Sequence, residues 1–467
     1  MSDMGTPFYP ARSFHWLILP LVLMIAPLAA SDRPNIVFIL ADDLGYGDLA
    51  CYGRRDIRTP HLDRLASQGV RFTNHYANGA ECTPTRTAFL TGRYQQYVGG
   101  LECAIGTGNV GRYDDAIRLR ETHDLGLPTE EQTIARLLQD GGYATAITGK
   151  WHLGYEPKFA PHLHGFDHAF YCIGGGMDYF HYLDTVAGYN LFQNGQPIHR
   201  EGYFTDLCTD EAIAFIERRD PDQPFFLYLP YTCPHSPFQG PEDHRDDPLP
   251  LDSPLWNQGK APPEVYVAMI EHMDRRIGDV LQVLDREGLA DSTLVIFASD
   301  NGGTRSARNA PLSGIKGSTY EGGIRVPAML RWPGVIPEGI ESHQPCITFD
   351  FTASIARLAG VKPSPAKPFD GIDIVAHVAG ERADVPRTLY WRKPRGETIW
   401  MGVRDGTLKY VAQQKGKSKS EFLFDLLNDV SETNDLSQQR PADLRRLQQK
   451  YTAWESMTRK NRRGRPD

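Results

Sequence analysis

Five consecutive apolar residues, Ile36-Val37-Phe38-Ile39-Leu40, constrain this chain more than any other stretch. An extended segment that is apolar on both faces has no side to offer to water, so it reads as a central strand covered above and below. Ala144 to Thr148, Phe225 to Leu229 and Thr293 to Ala298 read as further strands, with amphipathic stretches between them. Thr59-Pro60 opens a helix that carries Leu62, Leu65 and Ala66 on one face and stops at Gly69. Thr129 and Gln132 form a capping box for another, which ends at Asp140 before Gly141-Gly142. Pro263 to Glu287 reads as a long helix with Val265, Met269, Ile277, Val280, Leu281 and Leu284 on its apolar side. Buried strands alternating with helices of this kind predict a mixed α/β layer fold.

The tail changes character. Thr388 to Trp391, Thr398 to Arg404 and Thr407 to Val411 read as short strands, with Asp405-Gly406 as a turn; Phe422-Leu423-Phe424 leads to Asp425, and Ala442 to Arg459 reads as a charged helix. A small antiparallel sheet with a helix is therefore expected from residue 386 onward, beyond the proline-rich connector Pro363 to Pro368. This divides the chain into a main unit at 31–385 and a C-terminal subdomain at 386–467, whose basic end, Arg459 to Asp467, reads as unpacked. At the other end, Trp16 to Ala30 is apolar but broken by Pro20 and Pro27. It is shorter than the roughly 20 residues of a membrane span, and small residues follow it. Residues 1–30 read as a signal peptide, so the protein is expected to be exported to the periplasm or the medium, with no stable membrane insertion once the signal is removed.

Charge narrows the partners. The 467 residues carry 50 Lys and Arg against 58 Asp and Glu, a net charge of −8, so the surface as a whole does not attract nucleic acid. An anionic substrate has to be drawn by a local cationic cleft. In open α/β sheets such clefts form beyond the carboxyl ends of the strands, and the chemically loaded residues lie there. Asp42-Asp43 follow the strand ending at Leu40, and Lys150-Trp151-His152 the one ending at Thr148. His235 follows the strand ending at Leu229, and Asp300-Asn301-Gly302 the one ending at Ala298. Asp42, Asp43, Asp300 and Asn301 offer only oxygen donors, which suit Ca²⁺ or Mg²⁺ better than zinc. Taken singly, each of these acidic pairs reads equally well as a turn.

Seven cysteines in an exported chain leave one over after any pairing. Cys82 stands apart from the rest. Thr83 suits a helix N-cap and Pro84 the first helical position, while Arg86, Ala88, Phe89 and Leu90 continue a helix. Cys82 is therefore expected just outside a helix N-terminus, where N–H groups and the dipole favour anions.

Cys82-Thr83-Pro84-Thr85-Arg86, with Leu90 and Gly92-Arg93 after it, resembles the sulfatase signature Cys-x-Pro-x-Arg, with Thr85 where serine is most often seen. Gly149-Lys150-Trp151-His152-Leu153-Gly154 resembles the second signature of that family, and Thr319 to Pro327 is also similar to it. The resemblance runs from Pro34 through Asp370-Gly371 and Gly402 to Gly406 to the Phe424-Asp425-Leu426 segment. It implies an alkaline-phosphatase-like α/β fold, a large mixed sheet flanked by helices with a smaller C-terminal sheet. It also implies sulfate ester hydrolysis on a sulfated small molecule or glycan. Formylglycine-generating machinery would convert Cys82 to Cα-formylglycine (3-oxoalanine), whose hydrated aldehyde attacks sulfur. Ca²⁺, ahead of Mg²⁺, would be held by Asp42, Asp43, Asp300, Asn301 and residue 82. Asp300 would serve as base for the nucleophile, and Arg86 would support the hydrate and the metal-site charges. Lys150 and Lys316 would clamp the sulfate. His235, with Lys316, would protonate the leaving alcohol, and His152 would take the proton whose loss breaks the covalent sulfate ester. Leu101 to Leu127 and Gly174 to Asp184 are the loops expected to shape the pocket. Two other readings stay open: a phosphonate or phosphodiester hydrolase, and an inactive sulfated-glycan binding protein in which Cys82 remains a thiol.

Overall fold

The apolar run at Ile36 to Leu40 forms the middle of a ten-stranded sheet in the computed structural model of the chain. The structure describes residues 1–5, 33–256, 261–460 and 462–463, so the signal-peptide reading falls almost wholly outside the described residues. The strands are β1 (Asn35–Ala41), β2 (Val70–Phe72), β3 (Ala144–Lys150), β4 (His168–Cys172), β5 (Phe192–Gln193), β6 (Gln196–Pro197), β7 (Phe225–Pro230), β8 (Thr293–Ser299), β9 (Ala328–Arg331) and β10 (Ile340–Ser342). Their order is β10-β2-β9-β8-β1-β7-β3-β4-β5-β6. The central five, β8 to β4 in that order, run parallel, while β9 and β5 pair antiparallel to β8 and β4.

Side chains of β1 alternate between two helical layers. Ile36, Phe38 and Leu40 pack with Leu294 and Ile296 against one, and Val37, Ile39 and Ala41 pack with Val295 and Phe297 against the other. This period of two is why the run has to be apolar throughout. Helices α1 (Pro60–Ser67), α2 (Cys82–Thr91), α3 (Ile134–Asp140), α4 (Phe204–Glu217), α5 (Pro263–Arg286) and α6 (Phe349–Ala359) cover the two faces. Residues of α2, α3 and α6 share the first core, and those of α1, α4 and α5 share the second.

A separate four-stranded antiparallel sheet follows: β11 (Thr388–Arg395), β12 (Thr398–Asp405), β13 (Leu408–Lys415) and β14 (Ser418–Asp425), backed by α7 (Pro441–Thr458). Its Trp391, Val403 and Tyr410 form a third core with Tyr76, Ala80 and Ala88, and the Trp391 indole N–H donates to the Ala77 carbonyl at 2.8 Å. The sheet is thus docked on the segment that leads into α2.

Three local expectations are corrected. The cap of α3 is Thr133, whose Oγ1 accepts from the Arg136 N–H at 3.1 Å. The box expected at Thr129 and Gln132 does not form, because the Gln132 side chain accepts instead from Ser364 N–H at 2.7 Å. Helix α2 begins at Cys82 itself, with Glu81 in the cap position. Thr83 cannot cap, because its hydroxyl donates to the His152 carbonyl at 3.0 Å and accepts from Ile105 N–H at 3.2 Å. The basic end is also not free of the fold as far as Arg463. Arg462 pairs with Asp115, and Arg463 donates to the carbonyls of Asp124 and Gly126. All seven cysteines are unpaired thiols. No described helix is long and apolar enough to cross a membrane.

Candidate active site

Strands β1, β3, β7 and β8 are parallel neighbours, so their carboxyl ends open on one edge of the sheet, and the loops beyond them meet in a cleft of about 860 Å³. Backbone bonds fix those loops: Asp42 N–H donates to the Cys233 carbonyl at 3.0 Å and Asp300 N–H to Ala41 at 3.1 Å. Asp43 and His152 sit at φ +66° and +55°, a left-handed conformation that Asp and His adopt more readily than most residues.

Cys82 lies at the start of α2, buried at 1% exposure. Its thiol donates to Asp42 Oδ1 at 3.2 Å and lies 3.4 Å from Lys316 Nζ. Arg86 is one helical turn further on, on the same face. Its Nε and Nη2 donate to Asp300 Oδ2 at 3.1 and 2.8 Å, and its Nη1 to the Lys150 carbonyl at 3.0 Å. Lys150 pairs with Asp42, and Lys316 with Asp43 at 2.6 Å. His235 places Nε2 3.7 Å from Asp43 Oδ2, with Nδ1 bonded to the Ser236 carbonyl. His152 bonds the Ile105 carbonyl through Nε2 at 2.7 Å, and its buried Nδ1 has no hydrogen-bond partner among the described residues. The ten residues selected from sequence thus lie together. The sequence-selected loops line the cleft with Ala104, Ile105, Thr107 and Arg112, and with Gly175 and Gly176.

The electrostatics follow from crowding charges away from water. Burial raises the Asp43 carboxyl, but the Lys316 and His235 charges outweigh it and hold the group below its usual range. Burial and the neighbouring Asp42 charge push Asp300 the other way, against Arg86 and Lys150. Burial and the charges of Asp300 and Asp42 drive the Cys82 thiol well above its ordinary value. Burial and the Lys150 charge keep His152 neutral, well below the usual imidazole range.

The residues fit a hard cation. Asn301 donates through Nδ2 to Asp43 Oδ1 at 2.7 Å and to the Gly302 carbonyl at 2.9 Å, which leaves its Oδ1 buried with no hydrogen-bond partner among the described residues. A buried orphan acceptor beside Asp42, Asp43 and Asp300 is a donor set for Ca²⁺ or Mg²⁺. Asp42, Asp43, Cys82 and His235 each place a ligand atom within 4.8 Å of the others. His235 is therefore nearer this cluster than sequence suggested, while Asp300 already accepts from Arg86 and from Asp43 N–H at 3.2 Å.

Several lining residues carried no sequence signal. Glu81 precedes the signature, Trp256 and Arg305 lie on loops, and Lys393, Arg395 and Trp400 come from β11 and β12.

The family model for sulfatases matches residues 34–361. The N-acetylgalactosamine-6-sulfatase of Canis lupus familiaris is 33% identical over 424 residues, covering 85% of this chain and 76% of that protein. The steryl-sulfatase of Homo sapiens is 31% identical over 437 residues, covering 75% of this chain and 70% of its own. Among solved structures, Ps i-CgsB in complex with k-i-k-neocarrahexaose aligns with a TM-score of 0.78 at 31% identity, covering 91% of this chain and 93% of that one.

Proposed function

This chain belongs to the sulfatase family and is a sulfuric ester hydrolase, and from that premise we propose that it releases sulfate from a sulfated carbohydrate through a formylglycine made from Cys82. The observation that carries this reading is the setting of Cys82. As a thiol it donates to Asp42, and burial with two carboxylates nearby keeps it protonated. A protonated thiol is a poor nucleophile. The surroundings suit a hydroxyl-bearing group that gives its proton to a carboxylate, as the hydrated aldehyde does.

One hydroxyl of the hydrate attacks sulfur, the bond from sulfur to the sugar oxygen breaks, and the alcohol leaves with a proton. The second hydroxyl then loses its proton, the carbonyl re-forms, and sulfate departs from the residue. Asp300, fixed by Arg86, is the base for the first proton. Lys150 and Lys316 offer positive charge to the sulfate oxygens. Lys316, with His235, is assigned the proton for the leaving alcohol; burial and the Lys316 charge hold the His235 imidazole at about 3, and its Nδ1–H is held by the Ser236 carbonyl, so Nε2 delivers a proton only after taking one up. His152 serves the second step: its Nε2–H is held by Ile105, so Nδ1 is the nitrogen left to accept a proton. Bound Ca²⁺, ahead of Mg²⁺, held by Asp42, Asp43, Asp300, Asn301 and residue 82, would polarise a sulfate oxygen and lower the pKa of the attacking hydroxyl.

The carbohydrate assignment draws on the cleft, where Trp256 and Trp400 offer apolar faces among polar groups. It draws as well on the names of an N-acetylgalactosamine-6-sulfatase and of a complex with a neocarrahexaose. Residues 31–385 are read as the catalytic unit, with 386–467 closing one side of its cleft. Residues 1–30 are read as an export signal, and conversion of Cys82 requires formylglycine-generating machinery in the host. The test is sulfate release from sulfated sugars by wild type and by Cys82→Ala. The variant should lose activity on the order of 10⁶-fold, as loss of a covalent nucleophile does. Faster turnover of phosphodiesters than of sulfate esters by the wild type would put the phosphonate or phosphodiester reading first.

A further inference from the structure

Four cations line the cleft beyond those placed at the nucleophile: Arg112, Arg305, Lys393 and Arg395. The acid among them is Glu81. Its Oε1 is shared by Arg395 at 2.9 Å and Lys393 at 3.2 Å, and its Oε2 accepts from the Cys103 thiol and Ala104 N–H, both at 2.8 Å. One carboxylate therefore serves two cations. Arg112 and Arg305 have no ion pair among the described residues, and the buried Nε of Arg112 has no hydrogen-bond partner. Arg112 is tied beside Arg395, since its carbonyl accepts from Gly396 N–H at 2.7 Å.

This accumulation runs against the net charge of −8 on the chain. Holding Glu81 explains Lys393, which is nearly buried, but does not explain Arg112, which does not touch that carboxylate. Three like charges gathered around one carboxylate still repel, and an unfilled guanidinium fork matches the oxygens of a sulfate or a carboxylate.

We propose that Arg112, Lys393 and Arg395 form a second anion subsite that binds a further sulfate or carboxylate of the substrate while its scissile sulfate ester lies at residue 82. The subsite rests on the sulfatase reading above and deepens it: the preferred substrate is a saccharide bearing two anionic groups. The second group is either another sulfate ester or a uronate.

The test compares three disaccharides: one monosulfated and otherwise neutral, one with a second sulfate, and one with a uronate in place of the neutral sugar. The whole protein from its native host should show a higher kcat/KM on one or both of the doubly charged sugars, and which one is preferred identifies the second group. Arg112→Met and Arg395→Met should each shrink the ratio of doubly to singly charged substrate about ten- to hundred-fold, the loss expected for a hydrogen bond to a charged group. A ratio taken within one variant is not moved by partial loss of folded protein. Affinity of Cys82→Ala for the two doubly charged sugars gives a readout without turnover. Arg112-dependent binding there, with no sulfate ester split by the wild type, would uphold the subsite and sink the sulfatase reading. Turnover of sulfate esters with a ratio near one, or a ratio unchanged in both arginine variants, would overturn the subsite alone.

Discussion

His152 has one ring nitrogen committed to the Ile105 carbonyl and the other buried without a partner. A buried unpartnered acceptor is unfavourable in a resting fold, so its retention points to a use during turnover. His152→Ala should lower kcat by about 10²–10⁴-fold, the usual contribution of a general base. A sulfated adduct should build up on residue 82, detectable by mass spectrometry of quenched enzyme. Slow turnover without that adduct would remove His152 from the second step. At this scale the sequence was informative where chemistry demands a particular residue. Cys82, Lys150 and His152 stand in short strings whose neighbours are also constrained; Cys82 and His152 line the cleft, and Lys150 is buried behind them on Asp42. Arg112 and Glu81 were not legible, because nothing local distinguishes them from other charged loop residues.

Helix α2 carries Cys82 and Arg86 on one face, and Glu81 at its cap position joins three chain segments: the helix, the loop at Cys103-Ala104 and strand β11. Burial raises the Glu81 carboxyl, but the Lys393 and Arg395 charges outweigh it and hold the group at about 2, against an ordinary 4.5. Its folded value is depressed, so its stabilisation is complete above pH 4.5 and is lost as pH falls toward 2. Glu81→Gln should therefore destabilise the protein by about 3 kcal/mol, as removing one partner of a buried ion pair does. The gap to wild type, read from urea midpoints, should be full near neutrality and narrow below pH 4.5. A gap independent of pH would assign the loss to packing instead. Elements were legible where burial is two-sided: β1, β7 and β8 are dominated by continuous apolar runs and could be little else, whereas β3 interleaves Thr145 and Thr148 with its apolar residues. Helix starts were less so. The caps expected at Thr129 and Thr83 give way to tertiary partners: Ser364 takes the Gln132 side chain, and His152 and Ile105 take the Thr83 hydroxyl.

For the molecule as a whole, the sheet carries Asp42, Asp43 and Asp300 to one place, and Arg86, Lys150 and Lys316 are the cations that meet them. The orphan Oδ1 of Asn301, without a partner among the described residues, leaves the set room for a further one. Chelation of divalent cations should therefore lower the thermal midpoint as well as activity, with Ca²⁺ restoring both better than Mg²⁺. At a cation concentration 100 times Kd the stabilisation is about 2.7 kcal/mol. A midpoint that ignores chelator would argue that Lys150 and Lys316 alone balance the carboxylates. The meeting of β11 and β12 with the nucleophile helix could not be read from sequence, since Lys393 and Arg395 reach Glu81 across some three hundred intervening residues with no local pattern to announce it. The two units share one cleft, and its purpose hangs on what residue 82 becomes. That is tested most directly by mass spectrometry of the tryptic peptide Phe72 to Arg86 from protein made in its native host. An aldehyde at position 82 is the predicted result; a cysteine there, as thiol or in a disulfide, would contradict it and favour a protein that binds sulfated glycans without cleaving them.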